Sequence, residues 1–407
     1  MPRLKILLAG ALLAGFAAAR CSGGHRRHHV KIQTMFKPPI LGSPSNHSVP
    51  FKTDGPYLSL AKVQGSSSPS MSGASAPTFD PNVNTNKSTQ NQPPDVVGWA
   101  LDGVSKYGIA LGFIPDDGSG GGTRQTIAEI SSMIGQRVSA QGYYAQVIAG
   151  HPFDGWQLLS KMDQIAKDGG VFQASIMPIN GWAGLTWEDD RQAVAICTVL
   201  KNFTHLPKVE VWFRFAHEVN WYLNDGTYKG TVDDFQQGWS VVAAACKKIA
   251  PRVRMWFTPN VANLEEYDRY YPTNHSTVDL IGIDYYPKVL STADFVKVMK
   301  PFHDKYCTSS GPYFAIGETA VGSEVSMTDR INWLKHILSP ETKMQLPFLI
   351  AVTWVSTKAP DYRRTEPITY LNIFQFNFDK MGIDYRIADT PGPTSLAIKL
   401  FLDAGDD

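Results

Sequence analysis

The sequence predicts an α/β protein in which a (β/α)8 barrel, the TIM barrel, occupies residues 96–407. Eight short β-rich runs start roughly 25 to 45 residues apart, which leaves room for a strand, a helix and two loops in each unit. Helical stretches with apolar residues at every third or fourth position lie between them. No G-x-G-x-x-G segment follows a strand, which disfavours the competing open, doubly wound sheet.

The eight predicted strands are rich in β-branched and aromatic residues. Their apolar runs are nearly continuous, as expected for parallel strands that are buried on both faces. They begin at Tyr107, Val138, Val171, Val209, Val253, Val278, Tyr313 and Phe348. In such a barrel the catalytic side chains lie at the C-terminal ends of the strands, so the polar residues there are the candidates for chemistry.

Four of the intervening stretches have a clear helical period. Several begin at threonine, a preferred N-cap residue, and one ends at Gly169. The four stretches span 123–136, 155–169, 186–203 and 231–250. Trp187 is expected to begin the third helix and to pack against the protein.

The N-terminal region has the features of a secreted protein. Residues 1–19 combine a basic start, a short apolar run and small residues, which predicts a signal peptide. Residues 20–95 are rich in Ser, Pro and Asn and predict a disordered extension. N-glycosylation motifs, which agree with an extracellular location, occur at Asn46, Asn86, Asn202 and Asn274.

Charge and composition favour a neutral partner. The formal net charge is +1, which gives no electrostatic footprint for nucleic acid, while 10 Trp and 16 Tyr residues are well suited to sugars. Beyond the signal peptide, no apolar stretch is long enough to anchor the chain in a membrane. We expect a monomer that binds a polysaccharide or oligosaccharide, without nucleic acid or membrane as a partner.

The four cysteines, Cys21, Cys197, Cys246 and Cys307, are too few for a disulfide scaffold and fit no zinc spacing. Cys197 and Cys246 lie in successive predicted helices. They could form a bridge or remain buried thiols, and the sequence leaves both possibilities open.

Two strand ends carry the residues with chemical potential. The stretch VWFRFAHEVNWYL places Arg214 inside an apolar strand and ends it at Glu218, and AIGETA ends strand seven at Glu318. Two glutamates facing each other across a barrel mouth would suit glycoside hydrolysis, which uses one acid and one carboxylate. The residues alone leave it equally open that both glutamates merely balance Arg214 in a buried cluster.

These motifs, together with the helical stretch 231–250 and the segments FTPN and GIDYYP, resemble glycoside hydrolase family 26 over roughly 300 residues. The family pattern at strand four is Arg-Pro-x-His-Glu-x-Asn-Gly. Its Arg, His, Glu and Asn are present as Arg214, His217, Glu218 and Asn220. Its Pro and Gly are replaced by Phe215 and Trp221.

The resemblance implies a role for each matching position. Glu218 would be the general acid/base and Glu318 the nucleophile. His217 would shape the subsite of the sugar under attack, Tyr286 would hydrogen-bond the nucleophile, and Trp354 would stack under the same sugar. Asn260 matches an asparagine that follows strand five, and Arg214, Asn220 and Trp221 complete the candidate substrate-binding residues.

Residue chemistry adds to these roles. Arg214 and a tyrosine hydroxyl would keep Glu318 ionised, and an apolar neighbour such as Trp221 would raise the pKa of Glu218. Trp354 could equally be a core residue, but its place on strand eight favours a sugar platform. Trp182, after strand three, is expected to line the cleft. Asp284 is either structural or part of the site.

The implied activity is that of an endo-1,4-β-mannanase. The segment after Asn220 departs from the family pattern, so hydrolysis of mixed-linkage glucan, β-1,3-glucan or xylan stays open, as does a carbohydrate-binding barrel without turnover. Two carboxylates suffice for this reaction, and no ligand-spaced His/Cys cluster occurs in the barrel region, so we expect no metal and no organic cofactor.

Overall fold

A computed structural model describes residues 101–116, 124–287, 289–321, 325–356, 385–388 and 393–406. Its nine strands among these residues follow one another in chain order. They are β1 (Ser105–Lys106), β2 (Ile109–Pro115), β3 (Ala140–Ile148), β4 (Gly170–Ile179), β5 (Val209–Phe215), β6 (Val253–Phe257), β7 (Leu280–Ile281), β8 (Tyr313–Thr319) and β9 (Leu349–Ser356).

The sheet closes on itself. Strands β2 to β9 are all parallel and each pairs with the next, and β9 pairs back with β2 in the register Phe113 to Trp354. The two-residue strand β1 forms an antiparallel pair with the beginning of β2. The predicted (β/α)8 barrel is therefore confirmed, and each predicted strand is one of its eight parallel strands.

Helices surround this barrel. Within the described residues they are α1 (Ile127–Ile134), α2 (Trp156–Leu159), α3 (Met162–Asp168), α4 (Arg191–Thr204), α5 (Val219–Asp225), α6 (Val232–Ile249), α7 (Leu264–Tyr270), α8 (Phe295–Tyr306), α9 (Met327–Ile337), α10 (Pro340–Gln345) and α11 (Pro393–Asp403). Single-turn 3-10 helices occur at His275–Thr277 and Leu290–Thr292.

Local chemistry explains where two predicted helices begin. Thr126 caps α1 and Thr231 caps α6, in each case as a capping box with the acidic residue three positions later. This arrangement satisfies backbone N–H groups that have no partner within the helix. Helix α1 then ends at Gly135, which adopts a left-handed conformation.

The other two predicted helices differ from expectation. The stretch 155–169 is divided into α2 and α3, and the helix expected from residue 186 begins only at Arg191. Thr186 and Asp189 exchange two hydrogen bonds that close a turn before that point. Trp187 therefore lies in a loop and is 61% exposed, so the expectation that it packs in a helix is wrong.

The barrel interior positions the site. Side chains alternate along a strand, so Trp212 and Arg214 of β5 lie on the same face. Trp212 belongs to a small apolar cluster with Trp256, and their rings meet edge-on with centroids 5.5 Å apart. The Arg214 guanidinium lies 5.6 Å from the Trp256 ring, a cation–π contact. The apolar cluster that contains Trp212 and Trp256 therefore supports Arg214 and the polar residues beyond it.

Helices α4 and α6 are joined by a disulfide between Cys197 and Cys246. The question that the sequence left open is thus settled in favour of a bridge. Cys307 is buried and has no disulfide partner among the described residues. Asn202 and Asn274 of the glycosylation motifs are both exposed.

Several predictions fall on the first hundred residues. The expected signal peptide (1–19) and extension (20–95), with Asn46, Asn86 and Cys21, lie outside the described residues. Within the described residues, no helix has the length and apolar character needed to cross a membrane.

Candidate active site

The buried arginine of β5 has several partners at the C-terminal end of the barrel. Arg214 is fully buried. Its Nη1 donates to Glu318 Oε1 at 2.8 Å, its Nε donates to the Thr258 hydroxyl at 3.0 Å, and its Nη2 donates to Asp284. A Cβ on Gly317 would lie 2.6 Å from the guanidinium, so the glycine makes room for it. Arg214 thus forms ion pairs with two carboxylates of the protein itself, Glu318 and Asp284.

Glu318, at the end of β8, receives three donors. Arg214 and the Tyr144 hydroxyl donate to Oε1, the latter at 2.6 Å, and the Tyr286 hydroxyl donates to Oε2 at 2.9 Å. Burial by itself would raise the pKa of Glu318. The charge of Arg214 and the hydrogen bonds from Arg214 and Tyr144 outweigh burial, so the pKa is lowered and the carboxylate is ionised at neutral pH.

Glu218 lies where β5 turns into α5. Ala216 and Glu218 adopt positive φ angles of 50° and 51°, a left-handed conformation that is costly for residues with a side chain. The Glu218 N–H donates to the Thr258 carbonyl at 2.7 Å, which helps to hold this turn. The strained turn fixes where the carboxyl group stands relative to the barrel mouth.

The surroundings of the Glu218 carboxyl are poorer in donors. Asn260 Nδ2 donates to Oε1 at 2.6 Å. Burial raises the pKa of Glu218 to about 8, the negative charge of Glu318 adds to this rise, and the hydrogen bond from Asn260 opposes it. Glu218 is therefore mainly protonated at neutral pH, as a general acid must be.

Asn220 holds Asn260 in place. Its Nδ2 donates to the Asn260 carbonyl at 3.0 Å, and its Oδ1 accepts from the Asn260 N–H at 2.8 Å. Both ends of the amide are used in this way, so the structure places Asn220 behind the site, where it positions another residue.

Three carboxylates converge in this region. Single oxygens of Glu218, Asp284 and Glu318 all lie within 4.8 Å of one another. Such a group could hold a metal ion, but Arg214 already donates to both Asp284 and Glu318. The positive charge that the cluster requires is therefore built into the chain, and Asp284, fully buried, is a partner of that arginine.

His217 faces the same space. Both of its ring nitrogens are buried and have no hydrogen-bond partner within the described part of the chain, and Nε2 lies 3.8 Å from Glu318 Oε1. Burial and the charge of Arg214 lower the pKa of His217 to about 3. The ring is neutral at neutral pH and can offer one donor and one acceptor to a ligand.

The tryptophans differ from expectation. Trp354 is fully buried and its N–H donates to the Tyr385 carbonyl at 2.8 Å, which are the features of a core residue. Trp182 is 6% exposed, donates to the Lys229 carbonyl at 2.6 Å and packs edge-on against Phe235, so it is a packing residue and not a cleft residue. Trp221, in the first turn of α5, is half-buried.

Two site tyrosines were missed by sequence reasoning. Tyr144 on β3 contacts Glu318, and Tyr222 on α5 contributes a hydrogen bond to Glu218. The run Tyr143–Tyr144 carries a weak signal, because alternation along a strand directs one of two neighbours inward. The pattern does not indicate which of the two it is.

Fold and site together define a class: a closed parallel barrel whose C-terminal end holds one ionised and one protonated glutamate, side by side. A comparison with protein-family models finds no match, and neither does a comparison with curated proteins.

Among solved structures, the barrel is similar to Bacillus subtilis mannanase man26, with 16% identity and a TM-score of 0.43 over 61% of this chain and 80% of that one. It is also similar to the catalytic domain of the GH26 endo-β-1,4-mannanase of Bacillus sp. JAMB-750, with 16% identity and a TM-score of 0.44 over 73% and 86% of the two chains. A glucosidase from Croceicoccus marinus has 11% identity and a TM-score of 0.49 over 74% and 68%.

Proposed function

We propose that the protein is a secreted, retaining endo-β-glycanase that cleaves its polysaccharide by double displacement, and that its activity is that of an endo-1,4-β-mannanase. One observation carries the proposal: oxygens of Glu218 and Glu318 approach within 4.8 Å. Retaining glycosidases hold their two carboxyl groups about 5 to 5.5 Å apart, whereas inverting enzymes need about 6.5 to 9.5 Å to fit a water molecule.

In the first step, Glu318 attacks the anomeric carbon while Glu218 gives its proton to the departing glycosidic oxygen. The protonation states support this division of labour, because the pKa of Glu318 is lowered and that of Glu218 is raised to about 8. The products of this step are a glycosyl ester on Glu318 and a free leaving sugar.

In the second step, Glu218, now ionised, takes a proton from water as the water oxygen attacks the same carbon. The bond to Glu318 breaks and its electron pair returns to the carboxylate. Two inversions give net retention, and Glu218 regains its proton for the next cycle. Neutral His217, whose ring nitrogens have no partner among the described residues, is suited to hydrogen-bond a hydroxyl of the sugar during both steps.

The choice of mannan follows the sequence resemblance to family 26. On the leaving-group side, Trp221 and Tyr222 of α5 replace the family's residues after Asn220. A different β-glycan would be selected there, without any change to the two glutamates.

Secretion is supported by chemistry in the described residues. The disulfide between Cys197 and Cys246 is of a kind that forms in oxidising compartments and is rare in the cytosol. The signal-like residues 1–19 and the exposed motif residues Asn202 and Asn274 agree with it. The full chain expressed with residues 1–19 should appear in the medium without them, and N-terminal sequencing of the product tests this.

The activity is tested with a panel of mannan, mixed-linkage glucan, β-1,3-glucan and xylan, scored for new reducing ends and for product length. We expect mannan to be cut internally, with a rapid fall in chain length. The variant Glu318→Gln serves as the matched inactive control. A carbohydrate-binding barrel without turnover would be retarded in a gel that contains mannan and would release no product. That result would overturn the proposal.

A further inference from the structure

The two oxygens of Glu318 are not equivalent. Oε1 accepts from Arg214 Nη1 at 2.8 Å and from the Tyr144 hydroxyl at 2.6 Å. Oε2 accepts from the Tyr286 hydroxyl at 2.9 Å, and among the described residues no second donor to it occurs. Tyr144 comes from β3, far from Glu318 in the chain, so the barrel alone brings the pair together.

We propose that Glu318 attacks through Oε2, and that Tyr144 is a positioning residue that binds the other oxygen and stabilises the carboxylate when it leaves the sugar. This inference rests on the proposed glycosidase function and assigns roles within the same site.

The lone pairs of the carboxylate support the assignment of Oε2. Each oxygen of an ionised carboxylate has about two lone-pair positions in its plane. Both positions on Oε1 are used by Arg214 and Tyr144. Oε2 keeps one position free beside Tyr286, and a nucleophile needs a free lone pair to form its bond.

Tyr144 must be the donor in its hydrogen bond. Its ring is packed against His217, with centroids 5.4 Å apart, inside the barrel mouth. Burial and the charge of Glu318 raise the pKa of Tyr144, so the phenol stays protonated. A buried phenol that donates to an ionised carboxylate at 2.6 Å is a short, charge-assisted hydrogen bond.

This bond changes in strength along the reaction. When Oε2 bonds to the anomeric carbon, Oε1 becomes the neutral carbonyl oxygen of an ester and attracts the Tyr144 proton less. When water displaces Glu318, the electron pair of the broken bond returns to the carboxylate and negative charge develops again on Oε1. Tyr144 therefore favours the second step, since its interaction is stronger at that transition state than in the ester.

The test is Tyr144→Phe, assayed with dinitrophenyl β-mannobioside and, in parallel, dinitrophenyl β-cellobioside. With so good a leaving group the second step limits the rate. We expect kcat to fall roughly ten- to a hundredfold, as for a lost hydrogen bond to a charged group, and KM to fall with it because the ester accumulates. Intact-mass spectrometry should detect the glycosyl ester during turnover.

A second readout is the pH profile. The hydrogen bond from Tyr144 is one of the causes that lower the pKa of Glu318. Its loss should move the acidic limb of kcat/KM to higher pH, because Glu318 then needs a higher pH to ionise. A purely structural role for Tyr144 would reduce the active fraction and leave both the limb and KM where they are.

Tyr143→Phe is the matched control, because this neighbour on β3 packs on Phe172, with centroids 6.4 Å apart, away from the site. It should keep kcat, KM and the acidic limb unchanged. If Tyr144→Phe does not fold, difluorotyrosine at position 144 keeps the shape, and its more acidic phenol should move the acidic limb to lower pH.

The outcomes separate this inference from the proposed function. No product with either glycoside or with any glycan of the panel would contradict the proposed function. An active wild type whose Tyr144 variant shows unchanged KM, no ester and an unmoved acidic limb would overturn the inference alone.

Discussion

The ends of β5 and β8 hold the same functional group in opposite surroundings. Glu318 receives a guanidinium and two phenols, whereas the side-chain donors to Glu218 are the Asn260 amide and Tyr222, and Glu218 stands on a left-handed turn. Both are buried, yet one pKa is lowered and the other is raised to about 8. Burial alone raises the pKa of a carboxyl group, so the difference comes from the partners.

The difference also depends on the distance between the two groups. Because oxygens of the glutamates approach within 4.8 Å, the negative charge of Glu318 is one of the causes that keep Glu218 protonated. Arg214 contacts Glu318 directly and thereby selects which of the two loses its proton. One buried cation thus distinguishes the proposed nucleophile from the proposed acid.

The largest effect is expected at the proposed nucleophile, Glu318. Glu318→Ala should lower kcat by roughly 10⁴-fold or more, as the removal of a nucleophile does in two-step hydrolases. Added azide should restore part of the rate on dinitrophenyl β-mannobioside and give the inverted α-glycosyl azide, which NMR identifies. A variant that keeps its rate would contradict a role for Glu318 in attack.

The acid should respond differently. Glu218→Ala should lower the rate on mannan by about 10²- to 10⁴-fold, the usual contribution of general acid catalysis. The first step on dinitrophenyl glycosides should change little, because that leaving group needs no proton. Equal losses on both substrates in pre-steady-state assays would argue against the assignment.

The pH profile gives a further contrast at this residue. The wild type should lose kcat/KM above about pH 8, because the acid then deprotonates. In Glu218→Ala this basic limb should disappear while the acidic limb from Glu318 remains.

A smaller effect is expected at Asn260. Its hydrogen bond lowers the pKa of Glu218, so Asn260→Ala should move the basic limb to higher pH and reduce kcat/KM about tenfold, as for a hydrogen bond to a carboxyl group. Asn263→Ala is the control, because Asn263 caps α7 by accepting from the Glu266 N–H. It should cost about 1 kcal/mol of stability and leave the limb unmoved.

The smallest effect on catalysis is expected at the disulfide. Replacing Cys197 and Cys246 together with Ala opens a link across a sequence separation of 49 residues. Chain-entropy arguments give a loss of about 4 kcal/mol in the free energy of unfolding, measured by denaturant titration. Both pH limbs should stay in place, and a shift of either would mean that α4 and α6 influence the site. Cys307→Ala offers a single-cysteine control outside the bridge.

The predictions made from sequence succeeded where a pattern is local. The eight strands were found because buried parallel strands are continuous apolar runs, and the caps at Thr126 and Thr231 follow from side chains three residues apart. The start of α4 was missed because a turn at Thr186–Asp189 competes with a helical period. Trp182 and Trp354 were expected to contact sugar but are packed in the protein. The sequence does not separate these cases, because an indole side chain suits a core as well as a sugar.

What the sequence by itself determined is the barrel and the two strand ends at which Glu218 and Glu318 stand, because strand period and strand order fix which residues reach the C-terminal face. Only the tertiary structure decided the partners of the site residues. Arg214 forms ion pairs with Glu318 and Asp284. Tyr144 donates a hydrogen bond to Glu318, and the Asn260 N–H donates one to Asn220. These contacts join segments that are far apart in the chain. Their distances, and hence the two protonation states, exist only once the barrel has closed.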